Sequence, residues 1–273
     1  MNAKAETLQQ LKAVELEILK SIIDVCNRLN IRYYMLVGSL IGTIRHQGFI
    51  PWDDDIDIGM VREDYELFMK EAQKLLPDHL FVQNIWTDEG YLLNFGKVRD
   101  SNTTFIEKSV KNHKINHGVY VDIFPLDYYP EDPVEQERIR AINKRYKRRI
   151  AVEYWVPNRS WKNKLMSFFL RVRYPSCRAI LKKQEKMFRS VPKSKLLTSY
   201  YGYKGETAPV EWYGEGTTAM FEGMEVTVPA QYDKLLTQIY GDYMTPPPED
   251  RRVPRHYTQI IDLEKPYTYY LGK

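Results

Sequence analysis

The sequence predicts an α+β fold: a sheet flanked by helices, with a mainly helical, basic insertion. Three observations predict it. Residues 6–29 carry Leu8, Leu11, Ile18, Ile22, Val25 and Leu29 at helical spacing. Asp55-Ile56-Asp57-Ile58 alternates charged and apolar residues, the period of a half-buried strand, and residues 118–125 are equally strand-like. Residues 133–192 are rich in Lys and Arg, with five basic residues in Lys144-Arg-Tyr-Lys-Arg-Arg149.

The elements follow in order. After the helix over 6–29, the apolar run to Val37 predicts a strand over 31–37, then a Gly38-Ser39 turn and a short helix. A second strand is expected over 53–59, and a helix from Arg62 that ends before Pro77. Further strands are expected at 80–85, 92–98, 103–107 and 118–125. Residues 220–229 form a hairpin around Gly223, and a short helix over 232–240 is stopped by Gly241. Pro246-Pro-Pro248 forbids helix beyond it. The division expected is a core at 1–130, a helical basic insertion at 131–200, and a part completing core and site at 201–273.

At 273 residues the chain can bury a full core as one large domain, or as one domain with a substantial insertion. A net charge of +4 is modest and does not call for a nucleic acid partner. Twenty-one tyrosines and 5 tryptophans are many for this size, and carbohydrate or quaternary-ammonium sites use such rings. Cys26 and Cys177 lie far apart without partners at metal-ligand spacing, so a reducing compartment is expected. The first residues lack the apolar run of a signal peptide, and no segment approaches the ~20 apolar residues of a membrane span. The expected location is the cytoplasm.

The chemistry concentrates at residues 37–59. Residues i and i+2 of a strand share a face, so Asp55 and Asp57 project together. Two carboxylates roughly 6.5 Å apart repel by about 2–3 kcal/mol at an effective dielectric near 20. A cation offsets this, and closely spaced oxygen ligands suit Mg²⁺ bridging to phosphate. Acidic clusters are commonly solvated turns, but here the alternating isoleucines mark a strand. Gly38-Ser39 and a helix N-terminus upstream would favour an anion, and Arg45 and His46 add cationic or hydrogen-bonding groups. Asp122, flanked by apolar residues, is either hydrogen-bonded in a turn or the third carboxylate of the metal site, and the second reading is favoured. Arg251, Arg252, Arg255 and His256 form a cationic cluster, either a solvated tail or counter-charge for phosphates. The basic stretch allows two readings: peripheral membrane contact through residues 140–185, or a packed subdomain with a solvated basic face.

The chain resembles the LicD family of phosphocholine transferases, relatives of the fukutin-related proteins within the nucleotidyltransferase-like superfamily. The resemblance rests on Gly38-Ser39, Gly42, Arg45-His46, Gly48 to Asp57, Lys97-Val98-Arg99-Asp100, residues 121–127 and residues 240–244, with Pro247 and His256 after them. It implies a nucleotidyltransferase-like mixed sheet. It implies transfer of phosphocholine from CDP-choline to a hydroxyl of a lipid-linked glycan precursor, of teichoic acid or lipopolysaccharide type, with release of CMP. Asp55, Asp57 and Asp122 would be catalytic and hold one or two Mg²⁺, with Mn²⁺ as a substitute. Gly38, Ser39, Arg45, His46, Lys97, Arg99, Arg252 and His256 would bind the donor. Asp122 or Asp53 would take the acceptor's proton, and Trp86, Tyr91, Tyr154, Trp155, Trp212 and Tyr213 are candidates for a choline box. The implied place of work is the cytoplasm or the inner membrane face. The rivals are a nucleotidyltransferase proper, a nucleotide-sugar glycosyltransferase, and a non-catalytic choline- or glycan-binding module.

Overall fold

A computed structural model describes residues 3–154, 161–199, 204–254 and 256–271. Helix α1 (Ala3–Leu29) buries Leu11, Ile18, Ile22 and Val25, the stripe its sequence predicts, and Cys26 with them. Asn30, at a φ of 53°, breaks the helix and turns the chain towards the sheet.

The expected strand over 31–37 shrinks to β1 (Tyr34–Met35). Among the described residues β1 pairs only with β2 (Asp57–Val61), and Val37, at a φ of 48°, diverts the chain straight into α2 (Val37–His46). Gly38 and Ser39 are therefore the first turn of a helix, and no separate turn precedes it. The second strand starts at Asp57, later than its alternation suggests, because β1 has ended and residues 53–56 have no ladder on that side. Asp55 lies just ahead of the strand.

Helix α3 (Arg62–Glu71) leads to β3 (Leu80–Gln83), β4 (Gly96–Asp100), β5 (Thr104–Glu107) and the long β6 (Val119–Tyr129). Helices α4 (Pro133–Tyr154), α5 (Trp161–Arg173) and α6 (Cys177–Arg189) follow. The chain then returns to the sheet as β7 (Leu196–Thr198) and β8 (Thr207–Pro209). The sheet runs β1-β2-β6-β4-β3, with β7 joined to β6 and β8 to β7. Among the described residues only β2 and β6 are parallel within it, so the sheet is mixed.

One face of the sheet presents Ile58, Met60, Val98, Val121 and Ile123, all buried beneath α1 and α3. The alternation that turns these inward turns Asp57, Lys97 and Asp122 to the opposite face. α6 packs back on β6, and the Arg62 guanidinium makes paired hydrogen bonds to Asp127 at 2.7 Å each. The helical segment thus rests on the sheet through α6. Short helix α7 (Val210–Tyr213), hairpin β9 (Thr217–Phe221) and β10 (Met224–Val228), and α8 (Tyr232–Tyr240) complete this side. Finally β11 (Thr258–Asp262) pairs antiparallel with β5, which carries the C-terminal segment to the acidic face.

Candidate active site

The parallel register sets Asp57 directly beside Asp122, with strands about 4.8 Å apart. On the other side of β6, Lys97 is the register partner of Asp122 and donates to its Oδ1 at 2.5 Å. The Lys97 ammonium also sits 3.4 Å from the centre of the Tyr120 ring, and the Tyr120 hydroxyl donates to Glu107 at 2.7 Å. Ser39 anchors the entry to β2: its Oγ accepts the Asp57 backbone N–H at 2.8 Å.

His256 closes the site from the C-terminal segment. Its Nδ1 lies 3.1 Å from Asp54 Oδ1, while Nε2 is 3.9 Å from Asp55 and 4.0 Å from Glu107. Burial pulls the imidazole down, but the hydrogen bond to Asp54 and the charges of Asp55, Asp54 and Glu107 push it up to about 9. Asp54, Asp55 and His256 offer ligand atoms within 4.8 Å of one another, the metal-sized group found among the described residues. Asp55 is common to this group and to the Asp55, Asp57, Asp122 set.

The carboxylates are under-compensated. Burial, then Asp53, pushes Asp55 up to about 7, with His256 opposing. Burial, then Asp55 and Asp122, raises Asp57 well above the carboxylate range. Burial also raises Asp122, against the pull of Lys97. Behind them lies Glu15 of α1, buried, with Oε2 lacking a hydrogen-bond partner; burial and then Asp55 and Asp54 raise its pKa. This orphaned oxygen and surplus of buried negative charge fit a divalent cation.

Glu15 was missed by the sequence reading, although a signal existed. It falls between Leu11 and Ile18 on the apolar stripe of α1, where a charge needs a reason. Lys12 was missed as well: its ammonium donates to the Ile50 and Pro51 carbonyls at 2.9 and 3.1 Å, pinning the acidic loop to α1. Glu222, at the turn of the β9–β10 hairpin, accepts from Phe49 N–H at 3.0 Å and holds the other end of that loop.

The expected phosphate-binding groups are divided by α2. Gly38 and Ser39 open the helix and Arg45 and His46 close it, about 10 Å apart along the axis. At the opening, Asp53 occupies the ground expected for an anion: a Cβ on Gly38 would lie 2.6 Å from Asp53 Oδ2. At the far end the Arg45 guanidinium donates to the Tyr243 carbonyl at 2.6 Å and meets His46 Nε2 at 3.0 Å. Burial and then nearby Arg252 lower the Arg45 pKa, and burial, Arg45 and Lys12 lower that of His46. Arg252 lies over Trp52, 5.4 Å from the ring centre. Arg45 and Arg252 thus form a cationic rim beside the acidic loop, with His46 accepting from Arg45.

Lys97 and Arg99 are each bonded within the protein. Lys97 neutralises Asp122, while Arg99 donates to Gln83 and the Gly118 carbonyl at 2.5 and 2.6 Å, under the Tyr120 ring. Arg251 is exposed, and Arg255 lies outside the described residues. The aromatic candidates do not gather here. Tyr91 and Tyr213 are buried in hydrophobic cores, and Trp86 and Trp212 carry Lys182 and Lys234 on their faces. Trp155 and the side chain of Tyr154 lie outside the described residues. The rings that flank His256 are Phe105 and Tyr120.

The arrangement suits group transfer: a buried acid face with cations at its rim. Residues 30–162 match the LicD/FKTN/FKRP nucleotidyltransferase domain family. The chain is 31% identical to the lipopolysaccharide cholinephosphotransferase LicD of Haemophilus influenzae, over 95% of this chain and 100% of that protein. It is 39% identical to an uncharacterized protein of Rickettsia typhi, over 47% of this chain and 40% of that one. It is 29% identical to human ribitol 5-phosphate transferase FKRP, over 43% of this chain and 21% of that protein. Full-length similarity to the first of these, with the acidic strands inside the matched domain, makes the chain a member of the LicD family.

Proposed function

We propose that this chain transfers phosphocholine from CDP-choline to a hydroxyl of a surface-glycan precursor, of lipopolysaccharide or teichoic acid type, and releases CMP. What carries the reading is the buried Asp57–Asp122 pair with Asp55, in a chain whose full length resembles a cholinephosphotransferase. Membership of the LicD family makes it an enzyme that moves a substituted phosphate group. The acceptor oxygen bonds to the choline-bearing phosphorus as the bond from that phosphorus to CMP breaks.

Asp55, Asp57 and Asp122 would hold one or two Mg²⁺, with Asp54 and His256 beside them, and the cation supplies neutralisation of the donor's phosphates. Lys97 fixes Asp122 on the sheet face, and Ser39 fixes the backbone of Asp57. Arg45 and Arg252 neutralise phosphate charge beyond the acidic face. Asp53, half-buried on the acidic loop, accepts the acceptor's proton, because Asp122 is already committed to Lys97. The glycan acceptor would be carried on a lipid at the inner membrane face, and the protein would work from the cytoplasm.

The test is CMP release from labelled CDP-choline with and without Mg²⁺ and a lipid-linked glycan extract, using wild type and Asp55→Asn. CMP formed only with metal, acceptor and Asp55, with choline label in the glycan, supports the proposal. A nucleotide-modified acceptor without free CMP would replace it with a nucleotidyltransferase. Binding of choline without turnover, unaffected by EDTA, would replace it with a binding module.

A further inference from the structure

α5 reverses the usual order of an amphipathic helix. Trp161, Leu165, Phe168, Phe169 and Val172 are all exposed, and the two phenylalanines are 62% and 61% accessible. Their spacing of four, three, one and three residues gathers them within an arc of roughly 100° on a helix of 3.6 residues per turn. Ser167 and Leu170, off that arc, are half-buried, and the helix packs on α4. The apolar stripe therefore faces away from the protein.

Composition indicates what covers it. The segment 161–173 contains Lys162, Lys164, Arg171 and Arg173 and no acidic residue. Arg171 and Arg173 are exposed beside the stripe. A second copy of this chain would set these cations against their own kind. An anionic headgroup layer would pair with them while the rings enter the acyl boundary. No helix among the described residues is long and apolar enough to cross a membrane, so the contact would be peripheral.

We propose that α5 is a membrane-surface anchor that seats the protein on anionic bilayers through its exposed aromatic stripe and basic flanks. The inference does not depend on which donor or acceptor the active site uses, and its test involves no turnover.

The full chain is sedimented with vesicles of phosphatidylcholine alone and of phosphatidylcholine with phosphatidylglycerol. Wild type is expected to pellet with the anionic vesicles and to be released in part by high salt. Phe168→Ser/Phe169→Ser is expected to lower partitioning at least about tenfold, since both rings are withdrawn from the acyl boundary. Arg171→Glu/Arg173→Glu should remove the preference for anionic lipid. Both variants alter exposed positions and should keep the wild-type circular dichroism and thermal midpoint. Wild type left in the supernatant with anionic vesicles overturns the proposal, as does a Phe168/Phe169 variant that pellets like wild type. Equal pelleting with neutral vesicles overturns the anionic assignment. Self-association of wild type in solution that the Phe168/Phe169 variant abolishes gives the stripe to a second copy and overturns it too.

Discussion

Asp57 and Asp122 stand side by side across the parallel pair of β2 and β6, and the ammonium of Lys97 donates its hydrogen bond to the second of them. Two buried carboxylates with one ammonium leave net negative charge on a face that the rest of the sheet holds rigid.

Asp57→Asn and Asp122→Asn should each lower turnover by at least about 10²-fold, the scale of losing one preorganised charge-bearing group. Asp57→Asn should also raise the thermal midpoint measured in EDTA, because it relieves burial of a charge beside Asp55 and Asp122. A variant with full activity, or with a lower midpoint in EDTA, would argue against the placement of this charge.

Metal-free stability should fall as pH rises. Asp55 sits at about 7 in the fold and about 3.9 when unfolded, so the folded state binds more protons between those values. Its contribution is complete below the unfolded value and is lost as pH climbs through 7. His256 acts in the same direction, from about 6.5 up to about 9. Thermal melts in EDTA from pH 5 to 8 should therefore show a declining midpoint, with the decline reduced in Asp55→Asn and by added Mg²⁺. A midpoint that climbs over this range would contradict the site's electrostatics.

Lys97→Met should cost about 3 kcal/mol or more, because it strands Asp122 as a buried charge without its partner. The pair Lys97→Met/Asp122→Leu should regain much of that stability and none of the activity. Urea denaturation beside the CMP assay separates the two effects. Equal instability in single and double variants would mean that Lys97 matters for packing alone.

Gly38→Ala offers the converse. The new methyl would meet the Asp53 carboxylate at 2.6 Å, the mobile end of a side chain, so the fold can yield. Ala in place of Gly at a backbone position it can adopt gains roughly 0.4–1 kcal/mol by restricting the unfolded chain. Activity should drop while the midpoint holds or rises, as seen by calorimetry and initial rates. A fall in both would show that the backbone of α2, and not Asp53, is what the glycine protects.

Much of this site could be read from local pattern. The alternation at Asp55-Ile56-Asp57-Ile58 marked the acidic strand, and the apolar flanks of Asp122 marked a costly charge. The stripe of α1, the Gly223 hairpin and the stop at Gly241 were equally visible, because periods of 2 and 3.6 and positive-φ glycines are properties of neighbouring residues. Strand edges were less legible: β1 and β2 are shorter than their patterns because pairing ends where a partner ends. Lys97 and Arg99 looked alike in sequence, yet one meets Asp122 and the other supports Gln83 and Gly118. The chain by itself determined that a cluster of carboxylates would be buried in a mixed α+β protein. Only the tertiary structure decided which groups meet them. The register of β2 on β6, the pairing of β11 with β5 that delivers His256, and the packing of α1 that delivers Glu15 are set by non-local burial. No local sequence period encodes such contacts.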